Sequence, residues 1–454
     1  MADDFAPLLE LVLKAPPEVI KESAAKLVAR HEVNGRSYYV KRYRHDAFWL
    51  RPLKFLFKRS QAKQEWELAA ECEKRGVPIV RHVALGEHWG AGWLKESVLI
   101  TEAFDGGVPL SEAHSAHYQR VMEFVQRIAR AGVVHHDFHP SNVLIHERTG
   151  ELRLVDLHGA AIAGESAAEE SREVMLVQLA AMLMLPVSEN VLSKARTWRR
   201  QAYAGRSKRC LKVNRDFARR EFGELRWQVR RGAVSPAVEV VLRDPDGFLA
   251  RGAVLKAGRS ATVGAADGLV LKRYNFKKPL NVVKDLFRGS KGRRGFQKAY
   301  HLELCGFPTP CVLATADRRM LGFPVGSYIL MEEVPGAVDA GKWNGDVARG
   351  VARLIGRLHV EGFTHRDLKE TNILFDGKST AHLIDLDGLV FVETVSITEA
   401  VANLRRLSEG MRAAGRLTRL NTMLFMHCYC RIRDVRPREI FPRARRTQHA
   451  HRSR

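Results

Sequence analysis

The sequence predicts an α+β fold built twice in tandem. Each of two bilobal domains has a small antiparallel-sheet N-lobe and a short, mostly helical C-lobe. Three observations predict it. First, His135-His136-Asp137-Phe138-His139-Pro140-Ser141-Asn142, with Val155-Asp156-Leu157-His158 behind it, returns as His365-Arg366-Asp367-Leu368-Lys369-Glu370-Thr371-Asn372 with Ile384-Asp385-Leu386-Asp387. Second, the spacings agree: five residues from Asp137 to Asn142 and from Asp367 to Asn372, then 19 from Asp137 to Asp156 and 18 from Asp367 to Asp385. Third, the likeness extends upstream, where Val40-Lys41-Arg42-Tyr43 matches Leu271-Lys272-Arg273-Tyr274, with Lys-to-Asp distances of 96 and 95 residues. A period of roughly 230 residues is too long for a solenoid unit and means two domains of one fold.

The first domain is expected over 1–235. Asn34-Gly35 marks a hairpin turn before the strand that carries Lys41. Lys26 to Val33 holds no glycine, so no phosphate-covering turn is expected there. A basic-aromatic stretch, Arg51 to Phe57, leads into a helix with Glu65, which ends at Gly76-Val77-Pro78. Val174 to Val187 is apolar apart from Gln178 and Pro186. It is too short to span a bilayer and is read as a buried helix.

The second domain is expected over 236–454, joined through the Arg-rich segment before Pro245. Lys256 to Val263, with Gly258, Ser260 and Thr262, reads as a turn between strands whose small residues let backbone N–H groups approach phosphates. Asp267-Gly268 is the hairpin turn before Lys272. Lys278-Pro279-Leu280 opens the second basic insert, and Gly306-Phe307-Pro308 closes the following helix. Aligning Gly76 with Gly306 puts Gly295 where the first copy has Glu65. Glu303, eight residues further on, is left as the candidate partner for Lys272. The basic tail begins near 431.

A chain of 454 residues with 45% hydrophobic content can bury a core in each of two domains. The start, Met1-Ala2-Asp3-Asp4, is acidic where a signal peptide is cationic, so none is expected. Six cysteines without a C-x-x-C pair suggest reduced thiols rather than a disulfide framework or a zinc site. The net charge of +23 calls for an anionic partner: nucleic acid, an acidic membrane surface, or a substrate dense in phosphate and carboxylate.

The motif H-x-D-x-x-x-x-N followed by an Asp on a strand end is that of protein-kinase-like phosphotransfer, which needs positioning and charge neutralisation rather than covalent help. On this reading Lys41 and Lys272 hold the α- and β-phosphates of ATP. Asp156 and Asp385 chelate Mg²⁺, with Asn142 and Asn372 at the second metal position. Asp137 and Asp367 take the proton of the attacking hydroxyl. No Ala-Pro-Glu follows either metal Asp, which points away from a peptide acceptor.

These residues resemble the bacterial lipopolysaccharide core kinases, the Kdo and core-heptose kinase family. The carriers are the Lys-Arg-Tyr strand, Lys278-Pro279-Leu280, Leu302 to Pro310, and His365 through Asp387. The first copy, with Asp137-Phe138-His139-Pro140-Ser141-Asn142, is also similar to aminoglycoside-type phosphotransferases. The resemblance implies ATP- and Mg-dependent phosphorylation of an inner-core sugar hydroxyl by a cytoplasmic enzyme held peripherally at the inner membrane. It further implies hinges at Glu102-Ala103 and Glu332-Glu333, whose backbone groups meet the adenine edge. Phe55, Leu56 and Phe57 among Lys54, Lys58 and Arg59 suit an anionic membrane interface, and suit equally a helix packed on the N-lobe. The alternative is that one or both copies hold an anionic glycan, lipid or nucleic acid without catalysis. No RNA-reading aromatic motif accompanies the charge, which weighs against nucleic acid. The second copy, with its phosphate-covering turn and full His-Arg-Asp, is expected to carry catalysis.

Overall fold

The computed structural model describes residues 17–440 apart from 23–24, 46–58, 91–92, 276–287, 321–322, 340–343 and 377–379. Both basic inserts and the end of the tail, 441–454, lie outside the described residues. The chain divides into two compact units, Met1–Arg199 and Arg200–Arg454.

The first unit opens with strands β1 (Glu18–Glu22), β2 (Lys26–Val33) and β3 (Arg36–Arg44), then helix α1 (Gln61–Lys74), β4 (His82–Gly90) and β5 (Trp93–Glu102). The strands form one antiparallel sheet in the order β1-β2-β3-β5-β4. Asn34 and Gly35 both take positive φ, 52° and 72°, which is the geometry the predicted tight hairpin needs. α1 starts on a Ser60 cap and turns Ala62, Glu65, Ala69 and Cys72 inward. Gly76 then takes φ +69° after the helix, and the Pro78 carbonyl accepts the Leu154 N–H, tying the helix end to the C-lobe.

The C-lobe has β6 (Gly107–Pro109), α2 (Tyr118–Arg130), β7 (Val133–His135), β8 (Val143–His146), β9 (Leu152–Leu154), β10 (Ala160–Ile162), α3 (Ala168–Ala180) and the start of α4 (Glu189–Ser207). Two small sheets, β6-β8-β9 and β7-β10, carry the catalytic-loop motif. α3 is the buried helix expected within Val174–Val187, ending at Ala180. Among the described residues no helix is long and apolar enough to cross a membrane, and all six cysteines are free thiols.

The second unit repeats this plan and adds to it. Its strands are β11 (Phe217–Phe222), β12 (Leu225–Arg230), β13 (Ala253–Ala257), β14 (Ala261–Ala266), β15 (Leu269–Tyr274), β16 (Val312–Met320) and β17 (Phe323–Glu332). They form one sheet in the order β11-β12-β16-β17-β15-β14-β13. Two short helices, α5 (Pro236–Arg243) and α6 (Pro245–Arg251), pack Val238, Val241, Leu242, Phe248 and Leu249 on one face of it, against Trp227, Ala316 and Leu330. The expected boundary at 235 is therefore corrected to Arg199/Arg200. The Arg-rich segment is no linker: its hairpin pairs with β16, and its helices cover the sheet.

α7 (Lys291–Leu304) lies on the other sheet face. Gly292 is needed there, because a Cβ would sit 2.8 Å from the Tyr328 carbonyl oxygen. The C-lobe follows with β18 (Val338–Asp339), α8 (Gly345–Val360), β19 (Phe363–His365), β20 (Ile373–Phe375), β21 (Ala381–Leu383), β22 (Leu389–Phe391), α9 (Ile397–Ala413) and α10 (Arg419–Arg433). The Gly306-Phe307-Pro308 motif works as in the first unit, the Pro308 carbonyl accepting the Leu383 N–H.

Candidate active site

In each unit the catalytic loop is held by the same contacts. The Asp137 N–H donates to His135 Nδ1 at 3.1 Å, and His135 Nε2 donates to the Asp156 carbonyl at 2.9 Å. The Asp367 N–H donates to His365 Nδ1 at 3.3 Å, and His365 Nε2 donates to the Asp385 carbonyl at 2.7 Å. One ring nitrogen accepts and the other donates, so each imidazole is the neutral Nε2–H tautomer. Burial pushes both histidine pKa values down, which keeps that form. The Asn142 side-chain amide donates to the Asp137 carbonyl at 3.0 Å, and that of Asn372 to the Asp367 carbonyl at 2.8 Å. Each Oδ1 is left for another partner. The carboxylates of Asp137 and Asp367 are exposed, and Lys369 Nζ lies 2.8 Å from Asp367.

Two residues that sequence reasoning left without a role lock these loops. Gln178 Oε1 accepts the Phe138 N–H at 2.5 Å, and Asn403 Oδ1 accepts the His365 N–H at 2.8 Å. Both side chains are buried on helices of the C-lobe. Gln178 had a signal, as the lone amide in an apolar run; Asn403 sits in an ordinary amphipathic helix and had none.

The lysines are held differently in the two units. In the first, Lys41 Nζ lies 2.6 Å from Glu65 Oε1 and 3.2 Å from Asp156 Oδ1, the pairing expected of Glu65. The Tyr43 hydroxyl donates to Glu65 at 3.3 Å. Burial pushes the Glu65 carboxyl up, but His82 and the Lys41 ammonium draw it down to about 2. His82 Nε2 lies 3.9 Å off while its Nδ1–H goes to the Val80 carbonyl, so the Lys41 contact is the stronger of the two. Lys26 also reaches Asp156, at 3.9 Å, which sequence reasoning missed. Burial raises the Asp156 carboxyl; Lys41 and Lys26 more than offset this and hold it below the usual range.

In the second unit Lys272 Nζ lies 3.1 Å from Asp385 Oδ1 and 3.2 Å from Asp387 Oδ2. The Tyr274 hydroxyl donates to Asp387 Oδ1 at 2.7 Å. Asp387 thus bridges the lysine and tyrosine as Glu65 does, from the loop after β21 instead of from the helix. The expectation that Glu303 holds Lys272 is overturned: Glu303 makes a bidentate pair with Arg230, at 2.8 and 2.6 Å. Arg230 holds Glu303 away from the lysine, and Asp387 already supplies the carboxylate that Lys272 and Tyr274 share. Burial raises the Asp385 carboxyl, and Lys272 with the Asp387 N–H brings it below the ordinary value.

The two copies differ upstream of their lysines. Gly258 to Thr262 does join β13 and β14, with the Gly258 N–H on the Ala261 carbonyl and Asn275 donating to the Gly258 carbonyl and to Thr262. Ser260 accepts through its carbonyl from the Asn275 N–H. In the first unit the glycine-free window Lys26 to Val33 is itself β2, paired antiparallel with β1, and residues 23–24 between the two strands lie outside the described residues.

At the expected hinges the backbone donors are already engaged, which leaves their carbonyls for the adenine edge. The N–H groups of Glu102 and Ala103 donate to the Arg81 and Ser37 carbonyls, and those of Glu332 and Glu333 to Cys311 and Gly268. These four donors close off the sheet and cannot serve adenine. The next N–H groups, of Phe104 and Val334, have no backbone acceptor among the described residues outside regular strands and helices.

Among the described residues no group of three or more His, Cys, Asp or Glu side chains gathers to hold a metal. Mg²⁺ commonly takes one or two carboxylates, waters and substrate phosphates instead. Ionised Asp385, adjacent Asp387 and the spare Asn372 Oδ1 form a hard-oxygen set that fits it.

A sequence model of the lipopolysaccharide kinase (Kdo/WaaP) family matches residues 17–202 and 281–429, two segments as tandem copies require. Two proteins described as 3-deoxy-D-manno-octulosonic acid kinase, from Stenotrophomonas maltophilia strains K279a and R551-3, are each 34% identical over 133 residues. Those residues are 27% of this chain and 51% of each relative, so the chain spans about half the length of the curated relatives it matches. A solved structure described as WaaP in complex with acyl carrier protein aligns with 55% of this chain and 93% of its own, at 21% identity and a TM-score of 0.32.

Proposed function

We propose that this chain, which belongs to the lipopolysaccharide kinase (Kdo/WaaP) family, transfers the γ-phosphoryl group of ATP to a hydroxyl of a heptose or Kdo in the lipopolysaccharide inner core. The observation that carries the reading is the duplicated constellation of lysine, loop aspartate, asparagine and strand-end aspartate, held in one geometry by His135 and His365. ATP with Mg²⁺ would supply the phosphoryl group and the cation that neutralises it.

The residues of the chain do the rest. Lys272, positioned by Asp385 and Asp387, places a cation on the phosphates. Asp385 and Asn372 would hold the metal. Asp367 orients the acceptor hydroxyl and takes its proton, with the Lys369 ammonium 2.8 Å from its carboxylate. Val334 offers the adenine edge a backbone donor. We assign turnover to the second unit, where two carboxylates follow β21; in the first, His158 replaces the second and two lysines crowd Asp156. The net charge of +23 supports an anionic acceptor and attachment to the cytoplasmic face of the inner membrane.

Mass spectrometry of core oligosaccharide from a deletion strain should show the loss of one phosphate. Wild-type chain should restore it, and a chain carrying Asp367→Asn should not. An unchanged phosphate content in the deletion strain overturns the reading.

A further inference from the structure

The hairpin β11–β12 of the second unit builds a pocket with no counterpart in the first unit, whose described sheet ends at β4. Period-two alternation turns Trp227 and Ala316 toward α5 and α6. It sends Arg219, Arg226 and Asp317 to the opposite face, where Arg226 pairs in register with Asp317. The first turn of α7 adds Arg293, and Arg319 stands at the rim. Together they line a cavity of about 200 Å³. At about 30 Å³ per water this is room for one sugar ring.

Two features define what fits. Four guanidiniums, of Arg219, Arg226, Arg293 and Arg319, line the cavity with a single carboxylate, that of Asp317. Arg319 reaches Asp317 at 3.6 Å, and Arg226 reaches exposed Glu221 at 3.4 Å, so a strong excess of positive charge faces the space. That favours an anion, and guanidinium forks suit phosphate or carboxylate. The second feature is Asp317 itself. It is only 6% exposed, and its Oδ1 is buried with no hydrogen-bond partner among the described residues. A buried carboxylate oxygen requires a donor. A phosphate monoester dianion or a carboxylate group brings none and would repel it. A ligand with hydroxyl groups beside its acid group answers both demands.

We propose that this pocket is a second binding site, apart from the Lys272–Asp385 cleft, for a sugar bearing a phosphate or a carboxylate. The arginines take the acid group, and Asp317 accepts a hydroxyl. The inference does not rest on the phosphotransfer reading, because the site is built from residues outside that cleft.

The test is calorimetry on the full chain without ATP, using glucose 6-phosphate, glucuronate, inorganic phosphate and glucose. At least one acidic sugar should bind tenfold or more tighter than inorganic phosphate, and glucose should not bind. The better acidic sugar tells which acid group the site prefers. Arg219→Gln with Arg319→Gln, both at exposed positions, should weaken acidic-sugar binding about tenfold or more. Asp317→Asn should bring acidic sugar and inorganic phosphate to near parity. Asp385→Asn, in the cleft, should leave binding unchanged. Equal binding of phosphate and acidic sugars by the wild-type chain would mean an unspecific basic patch and overturn the proposal. So would absent binding, or binding lost in Asp385→Asn but kept in the arginine variant.

Discussion

Replacing Asp387 with asparagine tests whether this carboxylate has taken over the task that Glu65 performs in the first unit. The side chain accepts from Lys272 at 3.2 Å and from Tyr274 at 2.7 Å. An asparagine keeps an oxygen for the tyrosine but loses the charge that draws the lysine. Hydrogen bonds to charged groups are worth about 1.5–3 kcal/mol. Asp387 is 41% exposed, so solvent screening favours the lower end, about 1.5 kcal/mol or roughly a tenfold effect. The lysine remains tied to Asp385, which limits the damage further.

ATP titrations of phosphate transfer should therefore show kcat/KM for ATP down about tenfold in Asp387→Asn, with thermal unfolding nearly unchanged. The matching change in the first unit, Glu65→Gln, should behave in the opposite way. Glu65 is 4% exposed, and its removal leaves a buried ammonium short of a partner. Such a loss costs on the order of 3 kcal/mol of stability. A kcat/KM equal to wild type in Asp387→Asn, alongside an inactive Lys272→Met, would refute the claim that Asp387 positions the lysine.

Other outcomes follow from the same geometry. Asp367→Asn should cut turnover by orders of magnitude with the melting temperature kept, because the side chain is exposed and the change nearly isosteric; Asp137→Asn should have a smaller effect, and a reversed order would move catalysis to the first unit. Asn403→Leu should destabilise the second unit by about 1–3 kcal/mol and lower kcat, since it strips the His365 N–H of its acceptor; denaturant melts and turnover check it together. Burial pushes His301 and His359 down to about 4. Their neutral forms therefore favour the fold above pH 6.5, and that contribution is lost as pH falls from 6.5 towards 4. A fall from 6.5 to about 4 corresponds to about 3 kcal/mol for each histidine, so urea melts at pH 7 and 4.5 should differ strongly, and less so in His301→Phe.

The repeat made the fold legible because phosphotransfer and strand pairing both leave short, fixed spacings. Asn34-Gly35 and Asp267-Gly268 announced their hairpins because only residues tolerating positive φ fit such turns. The loop aspartates, asparagines and strand lysines stood out for the same kind of reason. What stayed hidden was tertiary. β11 and β12 read as a basic run because Arg219, Arg226 and Arg230 mask the apolar alternation of Phe217, Leu225, Trp227 and Val229. The role of Asp387 was hidden by analogy: a partner for Lys272 was sought on the helix, where the first copy has one.

The relocation of that carboxylate changes how the second site can be assembled. In the first unit the shorter of the lysine's two carboxylate contacts comes from α1, since Glu65 rides on that helix and also accepts the Leu157 N–H at 3.3 Å. In the second unit the lysine, Asp385 and Asp387 are joined without any acid from α7. The helix contributes Lys298 instead, which donates to the Leu386 and Asp387 carbonyls at 3.1 and 2.9 Å and so pins the loop rather than the lysine. Helix position and lysine position are thus coupled directly in one copy and only through the loop backbone in the other. Lys298→Met should accordingly lower transfer by the second unit about tenfold through loop disorder, while Lys272 keeps its carboxylate partners. Hydrogen exchange at Leu386 to Gly388 would rise in that variant. Unaltered exchange there with lowered turnover would show that Lys298 acts on substrate rather than on the loop.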